Sequence, residues 1–266
     1  MNKYELKDLR YLNWSNIRQS SGIAGSYLKS YSFSNGKKLY YKLSYFDDIE
    51  GIFGYESINE IIACKLLDAM NIPHLDYKLI YALIKIKEKE YKTYLTASLD
   101  FKERGESKIA LDNYYQFLKE ENEELIPFLK RMGFIEDIYK MIVFDYIILN
   151  RDRHGANIEI LYNKLNGNIR LAPIFDNGLS LLSPAYKEED IRNYDIYLER
   201  KVNSFIGSSN LENNLNLVPK EYLDIGNIDI DKIFASIGIN NTYMEKAKAM
   251  VKWRIKKLED IRNKRQ

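Results

Sequence analysis

Residues 149–182 read LNRDRHGANIEILYNKLNGNIRLAPIFDNGLSLL. Two runs of β-type residues, IEILY at 158–162 and NIRLAPIF at 168–175, flank NKLNGN, a turn rich in Asn and Gly. Asp152 and Asn157 stand just before the first run and Asp176 just after the second. A hairpin returns its two ends to one another. This reading therefore gathers Asp152, Asn157 and Asp176 at one place. The preceding stretch, FIEDIYKMIVFDYIIL, repeats Ile135, Ile138, Ile142, Tyr146 and Leu149 at three- and four-residue spacing, the mark of a helix with an apolar face. A helix, a polar loop and a hairpin closed by a second polar turn are thus expected in that order.

Two carboxylates and an amide in this arrangement fit phosphoryl transfer. That chemistry needs a carboxylate to orient an attacking hydroxyl and accept its proton, and hard oxygen ligands for Mg²⁺ beside a triphosphate. Asp152 and Asn157 are five apart, the Asp-x-x-x-x-Asn spacing of a protein-kinase catalytic loop, and Gly178 follows Asp176 in DNG where kinases have DFG. Asp152 takes the base role, with Asn157 and Asp176 as metal ligands. His154 is the second candidate catalytic residue, either orienting the loop backbone or acting as a base. Arg151 and Arg153 are candidates for phosphate contact or for a solvated surface.

The nucleotide then belongs to the N-terminal part. YSFSNGKKLYYKLSYF at 31–46 is two β-rich runs joined at Ser34-Asn35-Gly36, a hairpin signal. Alternation puts Lys42 on one strand face with Tyr40 and Ser44, the place for a phosphate-binding lysine. Helical spacing comes next, with Ile58, Ile61, Ile62, Leu66 and Met70 on one side and Pro73 marking the end. Glu56 and Glu60 lie one turn apart on this helix, and Glu60 is the expected partner of Lys42. SSGIAGSYLKS at 20–30 offers Ser21, Gly22, Gly25 and Ser26 as a loop whose backbone N–H groups could cradle phosphate. Strands recur through LDYKLIYALIKIKEKEYKTYLTASLDF, with a charged turn at Lys87–Glu90 and a hinge near 96–101. The remainder is mostly helical. Its last helix opens on a capping-box pattern, Thr242-x-x-Glu245, and runs through Ala247, Val251, Ile255 and Leu258.

The expected fold is α+β: a two-lobed, protein-kinase-like chain with a small β-rich N-lobe holding one helix, residues 1–100, and a larger helical C-lobe, residues 101–266. Composition agrees with a globular chain, at 45% apolar residues in 266. Net charge is +2 from 40 basic and 38 acidic residues, which argues against a nucleic-acid-coating role. The lone Cys64 excludes an internal disulfide, and without a CxxC or His-rich cluster a structural zinc site is not expected. The N-terminus has no apolar core of a signal peptide, and MIVFDYIIL is too short to span a bilayer and is interrupted by Asp145. A cytoplasmic location is the expectation. The C-terminal helix carries nine basic and two acidic residues from Lys246 to Gln266, a packed helix with a basic face that could touch anionic surfaces.

DYIILNRDRHGANIEI followed by LAPIFDNGLSLL resembles the HipA-like serine/threonine kinases, including the CtkA-type branch. Their pattern Asn-x-Asp-Arg-His-x-x-Asn, then Pro-x-[Tyr/Phe]-Asp, is met by Asn150, Asp152, Arg153, His154 and Asn157, then Pro173, Phe175 and Asp176. NEIIACKLLDAMNIPH resembles the family's helix and sets Glu60 at its glutamate, and Val202-Asn203-Ser204-Phe205 resembles a later segment. The resemblance implies ATP- and Mg²⁺-dependent phosphorylation of a protein Ser/Thr. Asp152 would be the base, Asn157 and Asp176 the metal ligands, and Lys42 the phosphate contact. Ala97, Ser98 and Leu99, in a hinge running to Phe101, would touch adenine. It also implies autophosphorylation of a phosphate-loop serine, with Ser20, Ser21 and Ser26 as candidates, and an antitoxin-like partner. Longer toxin members have an additional N-terminal subdomain, whereas this sequence opens almost directly on the nucleotide lobe, so partner and DNA contacts do not carry over with the motif. Asp-Arg-His-x-x-Asn is also the phosphoinositide-kinase loop. A lipid or small-molecule kinase is therefore the alternative, with a catalytically silent nucleotide-binding toxin-module protein as the third reading.

Overall fold

The computed structural model describes residues 3–15 and 27–265. The N-terminal part is built on one twisted sheet. Its strands are β1 (Leu6–Asp8), β2 (Lys29–Ser34), β3 (Lys37–Leu43), β6 (Lys78–Ile86) and β7 (Lys89–Leu99), in the order β1-β6-β7-β3-β2. β1 runs parallel to β6 and every other pairing in it is antiparallel. A small hairpin of β4 (Tyr45–Asp47) and β5 (Gly51–Phe53) leads into helix α1 (Glu56–Ala69).

Local chemistry sets these joints. Between β2 and β3, Asn35 and Gly36 both take positive φ, 49° and 73°, as a two-residue hairpin turn with the twist of its strands requires. The β6–β7 turn places Lys87 at φ 53°, inside the charged segment expected to turn. Along β3, Tyr41 and Leu43 point into an apolar cluster with Ala82, Ile84, Leu95 and Ala97, so Lys42 faces the other way.

Helix α1 departs from a simple amphipathic pattern. Its apolar residues pack into the core of the C-terminal part, and Glu56, Ser57, Asn59 and Glu60 are buried as well. Both glutamates leave the solvated face and must find partners. Cys64 is buried on the same helix, its Sγ 3.2 Å from the Leu75 carbonyl, and burial pushes the thiol up to about 12.

The linker at 100–105 leads to β8 (Glu106–Ala110), then α2 (Leu111–Leu118), α3 (Leu125–Arg131) and α4 (Ile135–Ile148). Next come β9 (Asp152–Arg153), a 3₁₀ turn at Gly155–Asn157, β10 (Glu159–Asn163) and β11 (Ile169–Leu171), with β10 between β8 and β11. The hinge expected over 96–101 starts later than the composition suggested. Ala97 and Ser98 are still paired with Tyr41 and Tyr40 inside β7, and Leu99 with Leu39. The chain beyond is α5 (Glu188–Asn193), β12 (Asn203–Ser204), α6 (Leu211–Asn214), α7 (Ile230–Ile237) and α8 (Thr242–Lys264).

α4 is the central helix, with every position from Ile138 to Ile148 buried except Lys140. Each such apolar side chain contributes about 1.5–3 kcal/mol. That burial fixes α4 and, through it, the polar loop at its C-terminal end. α8 packs on α4. The cap of α8 is Asn241, whose side chain accepts the Met244 N–H at 3.0 Å. Thr242 is already helical and its hydroxyl turns to Glu188. The basic face of α8 is largely answered from within the chain: Lys248 and Lys252 by Asp231, Lys257 by Glu199 and Glu212, Arg262 by Asp224. Among the described residues no helix is long and apolar enough to cross a membrane.

Candidate active site

The polar loop after α4 is built from the helix end outward. Leu149 closes α4 at φ 51°, and the Asn150 N–H bonds back to the Asp145 carbonyl at 2.9 Å, a left-handed helix stop. Asn150 then uses both ends of its amide. Nδ2 donates to Asp145 at 2.9 Å, while Oδ1 accepts the Asp152 N–H at 3.1 Å. Asp152 is thereby held by the helix end. Arg153 does not reach toward phosphate, as its neighbourhood in the sequence allowed. It is buried, grips Asp145 at 2.9 Å, and donates to the carbonyl of Phe175 at 2.8 Å and to Asn177 Oδ1 at 2.6 Å. One guanidinium therefore ties the loop at 152–157 to the turn at 175–177. Backbone pairing of Ile160 with Leu171 does the same from the hairpin side.

His154 Nδ1 accepts the Ala156 N–H at 3.2 Å and so caps the 3₁₀ turn. That bond leaves the ring proton on Nε2, which lies 3.7 Å from Asp152 Oδ2. The ring orients the loop backbone. Gly155 is required by close packing, because a Cβ there would sit 2.5 Å from that of Asp112. Asn157 donates Nδ2 to the Asp152 carbonyl at 2.8 Å, which turns Oδ1 away from that bond. Asn157 Oδ1 is buried with no protein partner.

Across from this loop, Lys42 bridges two carboxylates, Glu60 Oε1 at 3.1 Å and Asp176 Oδ1 in a shorter contact. Glu56 instead meets the Tyr27 hydroxyl and the Tyr45 N–H. Glu60 also accepts the Asn177 N–H at 2.9 Å, so α1 holds the turn after Asp176. Asp176 has φ 58°, a left-handed backbone that Asp tolerates better than most non-glycine residues. Burial alone would lower Lys42, but Asp176 and Glu60 outweigh it and hold the ammonium above its ordinary range. Burial raises the Glu60 carboxyl, and Lys42 only partly opposes that. Two carboxylates sharing one ammonium leave an excess of negative charge, and the orphan Asn157 oxygen adds a hard acceptor. The donor set is the kind that suits Mg²⁺.

Ala97 and Ser98 are buried next to Thr96, which pairs with Lys42, while Leu99 is 44% exposed at the end of β7. The linker beyond is strapped down by Phe101 stacked on Phe175 at 5.5 Å and by Arg170 paired with Glu106. Ser20, Ser21, Gly22, Gly25 and Ser26 lie outside the described residues.

Four further residues serve the site. Tyr77 is buried against it, its hydroxyl 3.5 Å from the Asp176 N–H and pushed well up by burial. Asn59 donates to the carbonyls of Gly178 and Ser180 and accepts the Tyr243 hydroxyl. Asp145 anchors Arg153. Asn203, on β12 parallel to β9, donates to Asp152 Oδ1 at 3.0 Å. Asn59 and Asn203 sit in the family-like strings NEIIACK and VNSF, which carried the signal without the role.

The sheet packed on a helical part, with this loop and turn between them, defines a kinase-like protein. The sequence profile of the phosphatidylinositol 3- and 4-kinases matches residues 54–216, more than half of the chain, and the chain belongs to that family. No curated protein matches it. Among solved structures it is similar to the Helicobacter pylori proinflammatory kinase CtkA, at 16% identity and TM-score 0.63, covering 98% of this chain and 97% of that one. It is also similar to HipA in the Shewanella oneidensis MR-1 HipA, HipB and operator DNA complex, at 12% identity and TM-score 0.54, covering 91% and 67%. The fold is the one that the resemblance to HipA-like kinases implied. The coarse activity that goes with this family and fold is phosphoryl transfer.

Proposed function

We propose that the protein is an ATP- and Mg²⁺-dependent kinase that transfers the γ-phosphate to a Ser/Thr hydroxyl of a protein, its own chain included. The observation that carries this reading is Lys42 held between Glu60 and Asp176, the latter on the turn that Arg153 ties to the loop bearing the unpartnered Asn157 oxygen. In this reading residues 1–100 bind the nucleotide and residues 101–266 supply the catalytic loop. Lys42 contacts the phosphates, Ala97, Ser98 and Leu99 border the adenine, and Asn157 and Asp176 hold the metal. Bound Mg²⁺ supplies charge neutralisation at the triphosphate.

The acceptor oxygen attacks the γ-phosphorus, the bond to the β,γ-bridging oxygen breaks, and ADP leaves. The hydroxyl proton passes to Asp152. Asn203 keeps the carboxylate facing the acceptor, and Asn150 and His154 fix the loop backbone. Autophosphorylation at Ser20, Ser21 or Ser26 would place about −1.5 to −2 charges near the nucleotide phosphates and silence the site. HipA of the similar structure is held in a complex with HipB, which supports an antitoxin-like partner here. A cytoplasmic location goes with these substrates.

Membership of the phosphatidylinositol 3- and 4-kinase family favours a second reading, transfer to a lipid hydroxyl. The test is incubation with γ-labelled ATP and Mg²⁺, offered generic protein and phosphoinositide vesicles in parallel. Label on Ser or Thr of protein is expected. Label on lipid alone would replace the first reading by the second. Slow, equal turnover in wild type and Asp152→Ala, both binding ATP, would mark a silent nucleotide binder.

A further inference from the structure

Beside the catalytic loop lies a group of cations that phosphoryl transfer by Asp152 and Lys42 does not use. β12 runs parallel to β9, with the Asn203 N–H on the Arg151 carbonyl at 2.8 Å. That pairing brings Arg200 and Lys201, just upstream of Asn203, to the edge that carries Arg151 and Asp152. Arg151 and Arg200 both lie over the ring of Tyr194, their Cζ atoms 6.0 and 4.3 Å from its centroid. The Tyr194 hydroxyl accepts from Arg151 Nη2 and bonds the Leu181 carbonyl at 3.3 Å, so the platform is fixed.

Among the described residues these cations have no carboxylate partner: none comes within ion-pair distance of Arg151, Arg200 or Lys201, whereas Arg153, Arg254, Lys252 and Lys257 are all paired. Glu199, the chain neighbour of Arg200, turns away to Arg254 at 3.0 Å. The Nε–H groups of Arg151 and Arg200 are both buried without an acceptor, and Arg200 donates no hydrogen bond to a described residue. Two arginines and a lysine without a carboxylate partner, gathered at the edge that carries Asp152, suit an anion. A guanidinium fork matches a carboxylate.

Resting on the kinase reading, we propose that Arg151, Arg200 and Lys201 form an acceptor subsite for a carboxylate, so that the preferred acceptor is an acidic peptide. Its Asp or Glu lies within about three residues of the accepting hydroxyl, the chain distance from Asn203 to Arg200. The footprint is small for a lipid surface, which takes on the order of four to eight clustered cations.

The experiment compares kcat/KM, with Mg·ATP and the full chain, for matched Ser peptides carrying Glu or Gln beside the serine. Phosphoinositide vesicles and self-labelling are assayed alongside. The Glu peptide is expected to be favoured about tenfold or more, as a charge-assisted hydrogen bond gives. In Arg200→Gln/Lys201→Gln the Glu-to-Gln ratio should fall toward one. Equal use of both peptides by wild type would overturn the subsite and leave the kinase reading standing. So would a preference untouched by the double substitution. Label on vesicles and not on peptide would overturn the peptide acceptor. No transfer to peptide, lipid or self would overturn the kinase reading and this inference together.

Discussion

Asn203 reaches from β12 to Asp152, its amide nitrogen 3.0 Å from Oδ1, although the two residues are 51 apart in the chain. The parallel pairing of β12 with β9 is what makes this possible. On the proposed reading Asn203 is a positioning residue, and its side chain is exposed, so its loss costs the fold little. Asn203→Ala should lower kcat roughly tenfold, the size of a hydrogen bond to a charged group. The KM for ATP should stay within about twofold, since the contact lies on the acceptor side. Steady-state kinetics separates the two. A raised KM with normal kcat would contradict the assignment.

Lys42 and Glu60 are a buried pair, and removing one member strands the other. Lys42→Met should destabilise the chain by about 3 kcal/mol, because Glu60 and Asp176 lose their shared cation. Adding Glu60→Gln should recover part of that loss. Urea unfolding of the single and double variants measures both, and a double variant weaker than the sum of the singles would sink the pairing.

On the proposed reading, Asn157 and Asp176 hold the metal. Asn157→Ala and Asp176→Asn should each weaken ATP binding about tenfold in the presence of Mg²⁺ and much less after chelation of the metal. Calorimetry with and without Mg²⁺ reads the difference. Equal losses in both conditions would remove the metal role.

Glu56 gives a pH signature. Burial raises its carboxyl above the ordinary carboxylate value, only partly offset by the hydrogen bonds it accepts. A raised carboxyl stabilises the fold below its ordinary value, and that contribution is lost as pH rises through the raised one. Glu56→Gln keeps the shape without the charge. Its melting temperature relative to wild type should therefore climb as pH rises above the ordinary carboxylate value. A difference that is flat or falls with pH would show that Glu56 is not held against ionisation.

Much of the site could be read from the chain because local signals agree with the fold. The Asn35-Gly36 turn, the α4 periodicity and the NKLNGN hairpin each arise from short-range chemistry. They set Lys42 on the face of β3 turned from the N-terminal apolar cluster and bring 152–157 alongside 175–177. What stayed hidden depends on distant contacts. Glu56 looks like a solvated helix face until the C-terminal core covers α1, whereas Glu60 is already expected to pair with Lys42. Arg153 looks like a phosphate ligand or a solvated surface residue until Asp145 and Asn177 are folded around it. The β7 strand extends to Leu99 because β3 pairs with it, which residue type alone does not show. Thr242 and Asn241 both suit a cap, and one residue of backbone decides between them.

The most direct measurement is single-turnover transfer of label from Mg·ATP by wild type and Asp152→Asn at matched nucleotide occupancy. The variant is expected to bind ATP normally and to transfer label more slowly by about a hundredfold or more, the usual loss when a general base is neutralised. Transfer at the wild-type rate by Asp152→Asn would contradict Asp152 as the base and, with it, the central claim.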